Sequence, residues 1–243
     1  MSGVLELSLV IPAFDEGERL VKTLEQVLDW VDGRPYEVIV ADDGSTDDTE
    51  AVLARFADRG VRSVRLAENS GKGAAVAAGV RAARGDIVAF FDADLAYSLD
   101  QLDALLAPVR EGADLAIGAR DLHPLGLGPY GPVRKLATMV FSGLVGTALG
   151  LAARDTQCGF KAFRADVARA LFAAVSVTGF GFDAELLFLA QRWGLRVVRV
   201  PVFMHSHGAS KVRVVRDALR MAADVARIRG RALRGAYPAS FQR

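Results

Sequence analysis

Residues 86–94 read Asp86-Ile87-Val88-Ala89-Phe90-Phe91-Asp92-Ala93-Asp94. A run that is apolar at every position after its first suits a central β-strand covered on both faces. It ends abruptly on two aspartates, which puts charge at the carboxyl end of that strand. The same alternation extends outward from it. Toward the N-terminus, residues 7–11 form a buried strand ended by Pro12. Residues 18–31 carry Leu20, Val21, Leu24, Val27, Leu28 and Val31 at helical spacing. Residues 36–41 are a second strand, and Ser45-Thr46-Asp47-Asp48 has the form of a capping box opening a helix that reaches Asp58. Residues 61–66 give a third strand, 71–84 an alanine-rich helix and 86–91 the fourth strand. Beyond it, Ser98-Leu99-Asp100-Gln101 caps another helix and 114–118 gives a fifth strand. Strands alternating with helices predict an α/β fold with a doubly wound, mostly parallel sheet.

On such sheets ligands gather beyond the carboxyl ends of the strands. Phe14-Asp15-Glu16 follows the first strand, Asp42-Asp43-Gly44-Ser45 the second, Asn69 the third, Asp92-Ala93-Asp94 the fourth and Arg120-Asp121 the fifth. Every carboxyl end therefore delivers candidate ligands to one rim. After residue 120 the pattern loosens. A Gly/Pro-rich loop over 122–132 precedes an uncharged helical stretch. Then come residues 155–163, a helix near 183–193, a strand near 197–203 and a long basic C-terminal helix.

The bulk properties exclude several classes. With 243 residues, 51% of them hydrophobic, the chain suits one large α/β domain or one domain with an appendage. Thirty Lys and Arg nearly cancel twenty-nine Asp and Glu, so the net charge of +1 points to no nucleic-acid partner. Cys158 is the only cysteine, which rules out an internal disulfide and a thiolate zinc site and fits a reducing cytosol. The N-terminus lacks the pattern of a signal peptide. Residues 136–153 are uncharged, but Ser142, Gly143, Gly146, Thr147 and Gly150 make them weakly apolar, so they read as non-spanning.

Asp92 and Asp94 either grip a divalent cation or merely cap the next helix. Their place on a rim of other polar residues favours the cation. Mg2+ and Mn2+ prefer oxygen ligands and complete their shell with substrate phosphates. In the second constellation, a carboxylate of Asp42 or Asp43 at a strand end suits the N–H groups of a uracil or guanine base; a plain strand-to-helix turn would use the same residues. Asn69-Ser70-Gly71-Lys72-Gly73 is not a Walker A loop, which would need glycine at Leu66 and a hydroxyl at Gly73. Lys72 there either meets a phosphate or is a solvated lysine on a tight turn. No G-x-G-x-x-G follows the first strand.

The ordered set Val10-Ile11-Pro12-Ala13-Phe14-Asp15-Glu16, Val40-Ala41-Asp42-Asp43-Gly44-Ser45, Asn69 to Gly73 and Asp92-Ala93-Asp94 resembles the inverting family 2 glycosyltransferases of GT-A fold. The second half is similar to the polyprenyl-phosphate (dolichyl-phosphate) sugar synthases. The matching pieces are Ile117-Gly118-Ala119-Arg120, Arg134-Lys135, Asp155 to Lys161, Phe182 to Leu187 and Gly208-Ala209-Ser210-Lys211. That resemblance implies a nucleotide-sugar site formed by Pro12, Ala13, Phe14, Asp15, Glu16, Asp42, Asp43, Asn69, Lys72, Asp92, Ala93, Asp94 and Arg120. It implies metal ligation by Asp92 and Asp94, with Arg120 and Asp155 catalytic and Arg134, Lys135 and Lys211 on the acceptor phosphate. The chain then divides into a nucleotide-sugar half (1–120), an acceptor half of the same domain (121–211) and a basic amphipathic helix with its tail (212–243).

Chemistry alone reads Arg120, Arg134, Lys135 and Lys211 as cations suited to a phosphate monoester, or as solvated surface charges. Asp155 and Glu185 are candidate acceptor-side acids, Glu185 being equally suited to a structural ion pair. Cys158 reads as a packed residue, and His205 with His207 as a weak metal pair. Residues 211–234 hold eight basic residues against Asp217 and Asp224. With Val215, Leu219, Ala222, Val225 and Ala226 as an apolar face, this helix suits an anionic bilayer or packs on the domain. Residues 136–151 offer a second interfacial helix.

The expectation is transfer of a hexose, glucose favoured, from a UDP-sugar to polyprenyl phosphate with Mg2+ or Mn2+, at the cytoplasmic face of a membrane. The alternatives are a GDP-mannose donor, a soluble or polysaccharide acceptor, or a non-catalytic nucleotide-sugar-binding module. A separate membrane-protein partner or a homo-oligomer is compatible with each. A sugar nucleotidyltransferase is disfavoured because its glycine-rich N-terminal loop is missing.

Overall fold

The computed structural model describes residues 5–128, 131, 142–151, 155–205 and 214–241, with the backbone alone over 214–219. The elements are β1 (Leu7–Ala13), α1 (Gly17–Val31), β2 (Tyr36–Asp42), α2 (Thr49–Ala57), β3 (Val61–Arg65), α3 (Lys72–Ala82), β4 (Ile87–Phe91), α4 (Asp100–Arg110) and β5 (Leu115–Ala119). They continue as α5 (described over 142–149), β6 (Phe160–Arg164), α6 (Ala165–Ala174), α7 (Phe182–Arg192), β7 (Val197–Pro201) and α8 (Val214–Leu233). The strands form one sheet in the order β3-β2-β1-β4-β6-β5-β7.

Side-chain alternation assigns the two faces of this sheet. Leu7, Leu9 and Ile11 of β1 with Ala89 and Phe91 of β4 meet α1, α2 and α4 through Leu24, Phe56 and Leu105. Val10, Val88 and Phe90 point the other way, into a second core with Val76 of α3, Phe172 of α6, Phe182 and Leu186 of α7 and Ile228 of α8. Phe90 anchors this second core, its ring 5.8 to 6.3 Å from those of Phe163, Phe172 and Phe182.

Pro12 does not end β1, which runs on to Ala13. A proline inside a central strand needs its nitrogen on an unpaired side. β4 pairs with β1 only as far as Val10↔Phe90, while β2 continues alongside to Ala13↔Asp42. At Pro12 the strand therefore has a neighbour on one side only.

The mostly parallel sheet has one antiparallel member that the sequence pattern did not disclose. β6 inserts between β4 and β5, antiparallel to both, in the register Phe91↔Phe160 and Ile117↔Lys161. Because it runs backwards, its amino end lies at the rim where the parallel strands have their carboxyl ends. Asp155, Cys158 and Gly159 reach the rim by this route.

Two local expectations change as well. Ser45 does not cap α2. Its hydroxyl donates to Asp42 Oδ1 at 2.5 Å, and the helix starts at Thr49, whose N–H bonds Asp47 Oδ1 at 3.0 Å. The apolar side of α8 packs on the domain through Met221, Val225, Ile228 and Ala232, whereas Ala222 and Ala226 are exposed. The outward side carries Arg220, Arg227 and Arg234. The side chains of Val215 and Leu219 lie outside the described residues.

Candidate active site

The turn after β4 is tight. Leu95 N–H bonds Asp92 O at 3.1 Å, Ala96 N–H bonds Asp94 Oδ1 at 3.1 Å, and Leu95 takes φ +46°, a conformation rare for a side-chain-bearing residue. The Thr23 hydroxyl pins the turn to α1 by donating to Ala93 O at 2.5 Å. Asp92 and Asp94 thus stand together, both partly exposed. Burial, and then the charge of Asp92, push the Asp94 carboxyl above its ordinary range.

This pair fits a hard divalent ion. Two oxygen donors held close enough to repel each other would be relieved by a cation. Among the described residues no group of three or more His, Cys, Asp or Glu side chains gathers to hold a metal. A metal here would therefore take its remaining ligands from substrate and water.

Lys72 is not a solvated lysine. Its ammonium lies 2.5 Å from Asp92 Oδ1 and its side chain is 15% exposed. Burial works against that charge, but Asp92 and Asp183 outweigh it and hold the ammonium above the usual lysine range. Deeper still, Lys161 and Asp183 form a buried pair at 2.5 Å. Lys161 also donates to Cys158 O at 2.5 Å and lies 5.6 Å from the Phe90 ring centroid. The result is a column of alternating charge, Asp92–Lys72–Asp183–Lys161, running from the rim into the core. Gly159 seals it from the side: a Cβ there would come within 2.7 Å of Asp92 Oδ2 and 2.8 Å of Lys72 Nζ.

The second rim constellation serves the loops. Asp42 is buried, with Oδ1 taking the Ser45 N–H and hydroxyl and Oδ2 taking Arg65 at 2.9 Å. Asp43 accepts the N–H groups of Ser70 and Gly71, each at 2.8 Å, and so fastens the 69–71 turn ahead of Lys72. Gly44 permits this approach at φ +72°, since a Cβ would sit 2.7 Å from the backbone of Glu68. Asp15, at φ +50°, accepts the Thr46 N–H at 2.8 Å, and Glu16 pairs with Arg19 at 2.6 Å. Pro12 and Ala13 are buried, Phe14 is half-buried, and Asn69 is exposed.

Arg120 and Asp155 are locked together. The guanidinium makes a two-pronged contact, Nε to Oδ2 at 2.8 Å and Nη2 to Oδ1 at 2.7 Å, and the Arg120 N–H adds a third bond at 3.0 Å. Burial alone would raise the Asp155 carboxyl, but the bonds from Arg120 prevail and keep it below its ordinary range. Such a carboxylate is a poor proton acceptor. Cys158 is buried beside them and has its thiol pushed up by burial to about 11, which leaves it unreactive.

Glu185 is fully buried. It takes the N–H groups of Ser176 (2.9 Å) and Val177 (2.7 Å) and the hydroxyls of Ser176 (2.8 Å) and Tyr237 (2.5 Å). Its carboxylate ties the 176–177 segment and Tyr237 to α7. His205 is exposed beside Phe203, with ring centroids 4.4 Å apart. His207, Arg134, Lys135 and Lys211 lie outside the described residues.

The sequence pattern assigns no separate role to Lys161, Asp183 or Tyr97. Lys161 carried a signal, being a lone charge inside Phe160-Lys161-Ala162-Phe163. A charge enclosed by apolar neighbours needs a buried partner.

An open α/β sheet of this order, with paired carboxylates beyond its central strand, defines the class as GT-A glycosyltransferase. Residues 8–172 match the model of Glycosyl transferase family 2, and the chain belongs to that family. Glycosyltransferase AglD of Haloferax volcanii is 35% identical, over 92% of this chain and 37% of its own length. The dolichyl-phosphate beta-glucosyltransferase of Drosophila melanogaster is 36% identical, over 96% of this chain and 77% of its own. Among solved structures, glucosyl-3-phosphoglycerate synthase of Mycobacterium tuberculosis in complex with UDP superposes with a TM-score of 0.67 at 25% identity, covering 93% of this chain and 80% of that one. The same protein has been solved with Mn2+ and UDP-glucose, at a TM-score of 0.66.

Proposed function

We propose that this chain transfers a hexose, glucose first among them, from a UDP-sugar to a polyprenyl phosphate, inverting the anomeric carbon. The observation that carries this reading is the Asp92/Asp94 pair beyond β4, backed by Lys72 and closed in by Gly159. It is supported by the likeness to dolichyl-phosphate glucosyltransferases over nearly the whole chain. The UDP complex of the glucosyl-3-phosphoglycerate synthase supports the donor.

Asp92 and Asp94 would hold Mg2+ or Mn2+, which supplies charge neutralisation for the departing diphosphate. Lys72 adds a second positive charge at the same end of the donor. A phosphate monoester has a second pKa of about 6, so the acceptor oxygen is already an anion at neutral pH. Positioning then matters more than proton removal. Asp155 accordingly acts by orienting Arg120 and not as a base. Arg120 forms a fixed cationic floor between donor and acceptor, and Arg134, Lys135 and Lys211 are assigned to the acceptor phosphate. No helix among the described residues is long and apolar enough to cross a membrane. The exposed arginines of α8 favour contact with an anionic cytoplasmic leaflet by charge alone.

The test is a donor panel of UDP-glucose, UDP-N-acetylhexosamines and GDP-mannose, each with Mn2+ or Mg2+ and a short polyprenyl phosphate. Labelled glucose recovered in the organic phase is the expected result. Label confined to water-soluble product rejects the lipid acceptor, and transfer from GDP-mannose alone rejects the donor.

A further inference from the structure

The Lys72 side chain carries the only charge in the first turn of α3. The backbone donors on either side of it are engaged: Ser70 and Gly71 N–H on Asp43, and Gly73 and Ala74 N–H on Thr178 O at 2.7 and 3.3 Å. The ammonium of Lys72 sits on Asp92, one of the two carboxylates assigned to the metal.

That arrangement sets up a competition. A dication on Asp92 and Asp94 while Lys72 still holds Asp92 Oδ1 would bring like charges onto one carboxylate. Asp183, the next carboxylate along the column, already pairs with Lys161 through Oδ1 at 2.5 Å. Asp183 still draws on Lys72 electrostatically, which keeps the ammonium near the column when it leaves Asp92. A diphosphate arriving at the rim gives it a new anionic partner. Asp92 is then released to the metal.

We propose that Lys72 is a displaceable counter-cation on Asp92, so that the divalent ion and the nucleoside diphosphate bind cooperatively, each weakly without the other. This inference rests on the metal reading of Asp92 and Asp94 given above. Lys72 is a positioning residue: it moves from Asp92 to the diphosphate as the donor site fills. Linkage makes the effect reciprocal, with Mn2+ raising UDP affinity by the factor by which UDP raises Mn2+ affinity.

The experiment measures Mn2+ binding to the whole chain by the electron paramagnetic resonance signal of free Mn2+, with and without UDP. Wild type, Lys72→Met and Lys72→Arg are compared, with folding checked by circular dichroism. Wild type is expected to bind Mn2+ about tenfold or more tightly with UDP than alone. Lys72→Met is expected to bind Mn2+ alone about tenfold more tightly than wild type and to gain less from UDP. Lys72→Arg keeps the cation and should keep the coupling. Wild type binding Mn2+ equally well with and without UDP overturns the proposal, and that measurement needs no variant. Unchanged Mn2+ affinity in folded Lys72→Met also overturns it, while leaving the metal reading intact. Failure of every protein to bind Mn2+ even with UDP removes both.

Discussion

Replacing Lys161 by methionine isolates the charge at the base of the Asp92–Lys72–Asp183–Lys161 column. Methionine follows the lysine stem and nearly fills its volume, so little of the effect comes from packing. The deleted ammonium serves Asp183 Oδ1 and Cys158 O, each at 2.5 Å, in a residue only 1% exposed. Removing one partner of a buried ion pair typically costs about 3–5 kcal/mol, because the other charge is left uncompensated. Asp183 can escape that cost by taking up a proton, and burial already pushes its carboxyl above the ordinary range. In the variant, with Lys161 gone, the folded carboxyl titrates higher still. A carboxyl raised on folding favours the protonated native state, so the penalty is small near its unfolded pKa. It grows by about 1.4 kcal/mol per pH unit above that and levels off once the pH passes the folded value. Urea unfolding of wild type and Lys161→Met, followed by the fluorescence of Trp30 and Trp193, should therefore show a larger stability gap at pH 8 than at pH 5.5. Adding Asp183→Asn should recover part of the loss. An equal gap at both pH values, or one below about 1 kcal/mol, would refute the argument that Asp183 depends on Lys161 for its charge.

Asp94→Asn should cut metal-dependent transfer by about 100-fold or more while leaving the thermal midpoint near that of wild type; full turnover in the variant rejects the metal assignment. Gly159→Ala places a methyl 2.7 Å from Asp92 Oδ2 and 2.8 Å from Lys72 Nζ. Steady-state rates should fall by roughly 10- to 100-fold from misplacement alone, and an unchanged rate means the column yields freely. Asp155→Asn leaves Arg120 buried without its counter-charge, at a cost of about 3–5 kcal/mol at neutral pH. Because the Asp155 carboxyl is held low in the fold, its contribution is complete above the ordinary aspartate range and lost as pH falls through the folded value. Chemical denaturation should thus find wild type and Asp155→Asn converging in acid; a gap independent of pH contradicts the ion-pair account.

The rim was legible in the sequence because β4 and β5 are uninterrupted apolar runs that give way at once to Asp92 and Arg120. Asp92 and Asp94 could be read that way since both lie within three residues of the strand end that places them. β6 was not legible. It is five residues long with a charge at its second position, and it owes its place to pairing with β4 and β5. The Arg120–Asp155 bond was hidden for the same reason: each residue was identifiable as charged and near the site, but their meeting depends on that antiparallel register. Ser45 misled because a serine ahead of a helix serves equally well as a cap or as a partner to a nearby carboxylate. Here its hydroxyl goes to Asp42, and Asp47 takes the first N–H of α2.

Tyr237 lies near the far end of the described chain, yet it is tied to the rim beyond β4 by a short path. Its hydroxyl holds Glu185, Glu185 holds Ser176 and Val177, and Thr178 O holds Gly73 and Ala74, next to Lys72. Trp193 adds a second fastening through Pro238 O and by stacking on Phe241. A disturbance of the last helix, whether by a neighbouring bilayer or by a change of sequence, therefore need not reach the Asp92 rim through the sheet. It has a lever arm of side chains that ends on the lysine facing Asp92, and slowed amide exchange at Val177 and Gly73 would report how firmly that lever is held.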